Sequence, residues 1–184
     1  LPQGPGFNYS MTVLCTVYDA YDANVETKLT ITVNPPQVPE GSSSVGFASS
    51  IADSLLSPEA LAANPTAAIS ATKTISAFLN SQNSGSVTAE QLQQLISLRG
   101  KLVDALVNFD DPKIALTPDG AASKLDALSS ITNSPSQLSP ETQSKAVSFV
   151  SNVMDRLFSV SEGGTLDTSA ATSGFTVLGS ISSV

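Results

Sequence analysis

Histidine is absent from this 184-residue chain, cysteine occurs once and arginine only twice, at Arg99 and Arg156. Each shortage removes a class of function. Without imidazole there is no Ser-His-Asp triad, no Cys-His pair and no His-ligated metal site. A single thiol, Cys15, forms neither an internal disulfide nor a thiolate metal cage. Its place in an alternating apolar run predicts a small buried residue rather than a reactive one. Charged residues make up 13% of the chain, eight basic against sixteen acidic, for a net charge of −8. A surface this poor in cations does not neutralise a row of phosphates, which argues against nucleic acid and anionic membranes as partners. No apolar run is long enough to cross a bilayer. Leu1 is not followed by a basic start and an apolar stretch of signal type, and Leu-Pro-Gln-Gly reads as mid-chain sequence, so a piece of a larger protein is expected.

What remains is 41% apolar, enough for a core, in a chain whose surface positions are filled by Ser, Thr and Ala. Enzyme signatures are weak. Ser123 precedes Lys124, but adjacent residues do not face each other on a helix, so the pair reads as surface decoration. Gly163-Gly164 lacks the flanking residues of a phosphate loop. Asp110-Asp111-Pro112 contains two carboxylates, but its place before a proline reads as a helix stop rather than an acid–base pair.

Punctuation divides the chain. Tyr9, Met11, Val13, Cys15 and Val17 alternate with mostly polar residues, and Leu29, Ile31 and Val33 alternate with Lys28, Thr30 and Thr32. The period of two predicts strands near 9–18 and 27–33, paired as an antiparallel hairpin. The turn between them is rich in Asp and Asn, with Asn24 the best candidate for a left-handed position. A lone hairpin is marginal in water, so this one needs a partner sheet or the helices that follow. Three prolines at 35, 36 and 39 then break the ladder and mark a linker.

Beyond the linker the pattern is helical. A short helix is predicted at 47–56. Ser57-Pro58, Asn64-Pro65, Thr117-Pro118 and Ser139-Pro140 each set a cap residue before a first-turn proline, and Thr88 to Gln91 has the spacing of a capping box. Behind the caps run narrow apolar stripes: Ile69, Thr72, Ile75, Leu79; Leu92, Leu95, Ile96, Leu102, Val103, Leu106; Leu125, Leu128, Ile131; and Val147, Val150, Val153, Met154, Leu157. A further helix starts near Ser169, with Phe175, Leu178 and Ile181 at intervals of three. The expected fold is α+β: closing strands of a β-sandwich at 1–34, a Pro/Ser-rich linker at 35–44, a bundle of five or six short helices at 45–158, then a polar loop and the start of another helix at 159–184.

Val-Tyr-Asp-Ala-Tyr-Asp-Ala-Asn and Leu-Thr-Ile-Thr-Val-Asn-Pro-Pro resemble the closing strands of a fibronectin type III or polycystic-kidney-disease repeat. Arg99, Leu102, Val103 and Leu106, in an Arg-x-x-Leu-Val-x-x-Leu run, are similar to helices of the receptor-for-egg-jelly region of polycystin-type proteins. The join from Leu125 through Ser139-Pro140-Glu141 resembles one in the same region, which leads into a GAIN domain. The resemblance implies an extracellular segment of a cell-surface membrane protein, often ciliary, built for spacing, adhesion or mechanical coupling. GAIN self-cleavage needs a His-containing junction that this chain lacks, so no residue inherits it. The alternative is a secreted wall or appendage glycoprotein, or a surface adhesin, with no channel partner.

Two small sites complete the expectations. Asn8-Tyr9-Ser10 is an unblocked N-glycosylation triplet, whereas Asn64-Pro-Thr is blocked by its proline. Asp19, Asp22, Asn24 and Glu26 carry oxygens suited to calcium, but lack the EF-hand glycine and closing glutamate, so a solvated turn is expected. No catalytic residue, cofactor, metal or small-molecule substrate is expected. The predicted partners are other domains of the same parent or neighbouring chains, met through the helices at 92–109 and 144–158.

Overall fold

A computed structural model describes residues 10–21, 23–32, 37–63, 67–81, 87–108, 110, 116–160 and 168–182. It divides into two compact units, Leu1–Pro39 and Glu40–Val184.

The first unit is the predicted hairpin. Strands β1 (Ser10–Tyr18) and β2 (Asn24–Thr32) pair antiparallel, from Ser10 opposite Thr32 to Tyr18 opposite Asn24. Asn24 is therefore the last rung of the ladder, not the left-handed turn residue. The turn is organised one residue after β1 instead. The Asp19 carboxylate accepts the backbone N–H groups of Tyr21 and Ala23 at 2.8 and 3.0 Å, and Asp19 N–H donates to the Ala23 carbonyl at 2.9 Å. An aspartate that accepts the turn's own amides is what organises it.

The second unit is helical and without strands among its described residues. Seven α-helices lie among the described residues: α1 (Ser44–Leu55), α2 (Pro58–Ala63), α3 (Ala67–Ser81), α4 (Ala89–Asn108), α5 (Pro118–Thr132), α6 (Pro140–Val160) and α7 (Thr168–Ser182). A 3₁₀ turn, Pro135–Gln137, joins α5 to α6. The caps act where the sequence puts them. Ser57, Thr117 and Ser139 hydroxyls accept the N–H three residues on at 3.1–3.2 Å. Thr88 and Gln91 form the reciprocal capping box at 3.0 and 3.2 Å. Ser43 caps α1 in the same way at 3.0 Å. Asn64-Pro65 lies outside the described residues.

Helix α5 is the centre, packed by α3, α4, α6 and α7. Its sequence shows a short stripe, yet Ala121, Leu125, Ala127, Leu128, Ile131 and Thr132 are all buried. Two alanines widen the arc because they let neighbours approach on a second side. The stripes of α3, α4 and α6 point into the same core, with Leu79, Leu98, Leu102, Val103 and Val153 buried. Each such side chain contributes about 1.5–3 kcal/mol of burial. Val147 is 40% exposed and lies off the α6 face that the sequence assigned it.

Helix α7 is part of the bundle, packed on α5 and α6, rather than an overhang beyond residue 158. It presents Ala170, Gly174 and Val177 inward and leaves Phe175 72% exposed. A spacing of three drifts round a helix of 3.6 residues per turn, so Phe175, Leu178 and Ile181 do not share one face. The small residues set the approach: a Cβ on Gly174 would sit 3.6 Å from Val150 Cγ1 and 3.8 Å from Leu125 Cδ1 and Met154 Sδ.

Candidate functional site

The chemistry-bearing side chains gather at four places, each explained by its own surroundings.

On the hairpin, residues opposite each other in register share a face, so Val13, Cys15 and Val17 lie over Leu29, Thr27 and Val25. This is the apolar face the alternation predicts, and it is open. Val13, Val17, Val25 and Leu29 are 38%, 65%, 71% and 58% exposed, and Cys15 is exposed with them. The expectation that Cys15 is buried is therefore corrected: the alternation places it on the right face, but nothing among the described residues of that unit covers the face. Asp19 spends its carboxylate on the turn amides. Glu26 lies opposite Thr16, on the other face from Cys15. Asp22 and Asn8 lie outside the described residues, so the calcium and glycosylation expectations both stay as stated. Gly163 and Gly164 also lie outside them.

Within the helical unit, Arg99 is fully buried on the α4 stripe, between Leu95 and Leu98 on one side and Leu102, Val103 and Leu106 on the other. Its Nε donates to Gln137 Oε1 at 2.9 Å, one terminal nitrogen to the Ile131 carbonyl at 2.5 Å, and the other to Asn80 Oδ1 at 2.8 Å. Asn80 in turn donates to the Ser130 carbonyl at 3.0 Å. Burial pushes the guanidinium down to about 10, far enough above neutrality that it stays charged. The sequence carries the signal for this burial: position 99 falls four residues after Leu95 and three before Leu102, inside the apolar stripe.

Asp110 follows α4 and is the third centre. Its side chain is 9% exposed, and it accepts from Lys124 on α5 and from Arg156 on α6, the latter at 2.7 Å. Burial pushes its carboxyl up, but the hydrogen bonds from Lys124 and Arg156 outweigh burial and hold it below the usual carboxylate range. Asp110 thus clasps the end of α4 to two helices; the exposed Asp155 lines the same hollow beside Arg156, and Asp111 lies outside the described residues. Lys124 belongs to this clasp and is not surface decoration, while Ser123 is exposed and apart from it.

The fourth place is an open groove of about 620 Å³ between α1 and α4. Ser49, Ser50, Gln93, Gln94 and Ser97 line it, and the Lys101–Asp53 pair at 3.0 Å closes one part. It offers hydroxyls, amides and, at its rim, the Glu90 carboxylate. Among the described residues no cluster of metal-ligating side chains occurs, and no helix is long and apolar enough to cross a membrane.

The remaining cations act as ties between helices. Lys73 of α3 pairs with Asp126 of α5, and Lys145 of α6 with Asp104 of α4 at 2.9 Å. Every described cation of the helical unit therefore bonds to a different element. The apolar sides of α4 and α6 are turned into the bundle, which leaves their polar sides outward at 92–109 and 144–158. Comparison with known proteins finds no matching family model, no matching curated protein and no matching solved structure.

Proposed function

We propose that the chain is a non-catalytic, extracellular structural and interaction segment of a polycystin-like cell-surface membrane protein. The hairpin closes a β-sandwich and the helical unit packs as a spacer against other domains of the same parent. The observation that carries this reading is the open apolar face of the hairpin. Two strands bearing Val13, Val17, Val25 and Leu29 on one face, each more than a third exposed, are an incomplete layer. Such a pair is stable only when a further sheet or another domain covers it. The polar clusters support the same reading, since Arg99, Asp110, Lys124 and Arg156 are spent on holding helices together.

The test is topological. An antibody raised against the helical unit labels intact, unpermeabilised cells that express the parent protein, and the labelled material stays with the membrane fraction. Label that needs permeabilisation overturns the extracellular reading. Label released into the medium replaces the membrane-protein reading with the secreted wall, appendage or adhesin one.

A further inference from the structure

Arg99 is the largest fully buried side chain of the helical unit, and no carboxylate pairs with it among the described residues. A buried cation is costly when it stands alone, so its charge must be met by something else. Two helices end at it. Asn80 is the penultimate residue of α3, and Ile131 the penultimate residue of α5. The carbonyls of a last helical turn lack intrahelical donors, and each helix C-terminus carries roughly half a negative elementary charge. The α5 end meets the guanidinium directly through the Ile131 carbonyl, and α3 reaches it through the side-chain oxygen of Asn80 near its own C-terminus. Asn80 relays the arrangement by donating to Ser130 in the last turn of α5. Gln137, in the turn that leads to α6, takes the third direction of the fork.

We propose that Arg99 is a register pin, which sets where α3, α5 and the α5–α6 turn end against α4, its charge met by the C-terminal carbonyl of α5 and the amide oxygens of Asn80 and Gln137. An apolar side chain in its place fills the volume without choosing among positions, because Leu, Val and Ala neighbours accept sliding contacts equally well. A planar fork with fixed donors accepts only one set of end points. The pin therefore contributes uniqueness more than stability, as buried polar groups do at some coiled-coil positions.

Three variants of the full chain test this: Arg99→Met, Arg99→Lys and Asn80→Leu. Arg99→Met retains the helical circular dichroism and melts no lower than wild type, yet its amide NMR spectrum broadens and it binds a hydrophobic dye. Arg99→Lys, which keeps the charge but not the fork, melts below Arg99→Met. Asn80→Leu leaves the α4 amides protected and speeds exchange in the last turn of α3 by about tenfold or more. A sharp, fully dispersed spectrum for Arg99→Met overturns the proposal. So does an Arg99→Met chain that fails to fold, since Arg99 then supplies stability rather than register. A lysine variant indistinguishable from wild type shows that charge alone suffices and overturns it as well.

Discussion

Replacing Asp110 by asparagine tests the clasp between the end of α4, α5 and α6. The substitution keeps shape and removes the charge. The carboxylate accepts from Lys124 and Arg156, whose side chains are 18% and 21% exposed against 9% for Asp110. A shielded hydrogen bond to a charged group contributes about 1.5–3 kcal/mol, and solvent on the cations' outer sides reduces that figure. The amide retains one acceptor, so one of the two bonds survives in weakened form. The other is replaced by an Nδ2 donor facing a cationic donor. The net loss is about 2–3 kcal/mol. The unfolding entropy of a unit the size of Glu40–Val184 is roughly 0.3 kcal/mol/K, so the midpoint falls by about 7–10 °C at pH 7.

The pH dependence supplies the second arm. The Asp110 carboxyl is held below its ordinary range in the folded state. Its stabilisation is thus complete above the unfolded-state value of about 4, and is lost as pH falls through that value and then the folded one. Wild type and Asp110→Asn converge as the solution is acidified, since the variant has nothing left to protonate at this position. Thermal melts followed by circular dichroism at 222 nm, from pH 7 down to pH 3, measure both arms, with Glu26→Gln on the hairpin, exposed and remote from the clasp in sequence and unit, as control. An Asp110→Asn midpoint within 2 °C of wild type at pH 7, or a gap that stays constant into acid, refutes the reasoning.

Three further outcomes are expected. Leu102→Asp places a carboxylate at a position with no exposed surface and abolishes the cooperative melt of the helical unit. Gly174→Ala is tolerated or raises the midpoint slightly, because its Cβ meets neighbours at 3.6–3.8 Å and alanine favours helix by about 1 kcal/mol, whereas Gly174→Leu loosens α7 and lowers it. Removing N-linked glycans from the secreted or surface protein shifts the mass of the peptide that contains Asn8, and Asn8→Gln abolishes that shift; material from the secretory pathway with unmodified Asn8 overturns the glycosylation expectation.

Periodicity and caps make most of the architecture legible in the sequence. Strand alternation located the hairpin, and Ser57, Thr88, Thr117 and Ser139 located four helix starts, because both signals depend on neighbours a few residues away. What stayed hidden depends on residues distant in the chain. Lys124 and Asp110 look unrelated at a separation of fourteen, and only the fold makes them an ion pair. The width of the α5 arc is invisible because alanine is compatible with either side of a helix. Cys15 was misplaced for the opposite reason: a strand pattern says which residues share a face, but not whether that face is covered.

The scarcity of charge and the placement of the charges are one fact. A chain with eight cations and sixteen acids has few opportunities for attraction, and a random scatter would leave several cations solvated. Instead Lys73, Lys101, Lys124, Lys145, Arg99 and Arg156 each reach across to another element. Exposed pairs of this kind contribute little stability, at most about 1 kcal/mol each. Their geometry matters more than their energy, because each pair names one partner helix and rejects others. The surface left over is Ser, Thr and uncompensated acid, which repels polyanions and costs little to desolvate where it is neutral. A helical unit built this way has its polar chemistry committed inward to arrangement. What it offers outward is shape, weak negative charge and, on the hairpin, an apolar face. Those properties fit the contact role proposed for the chain.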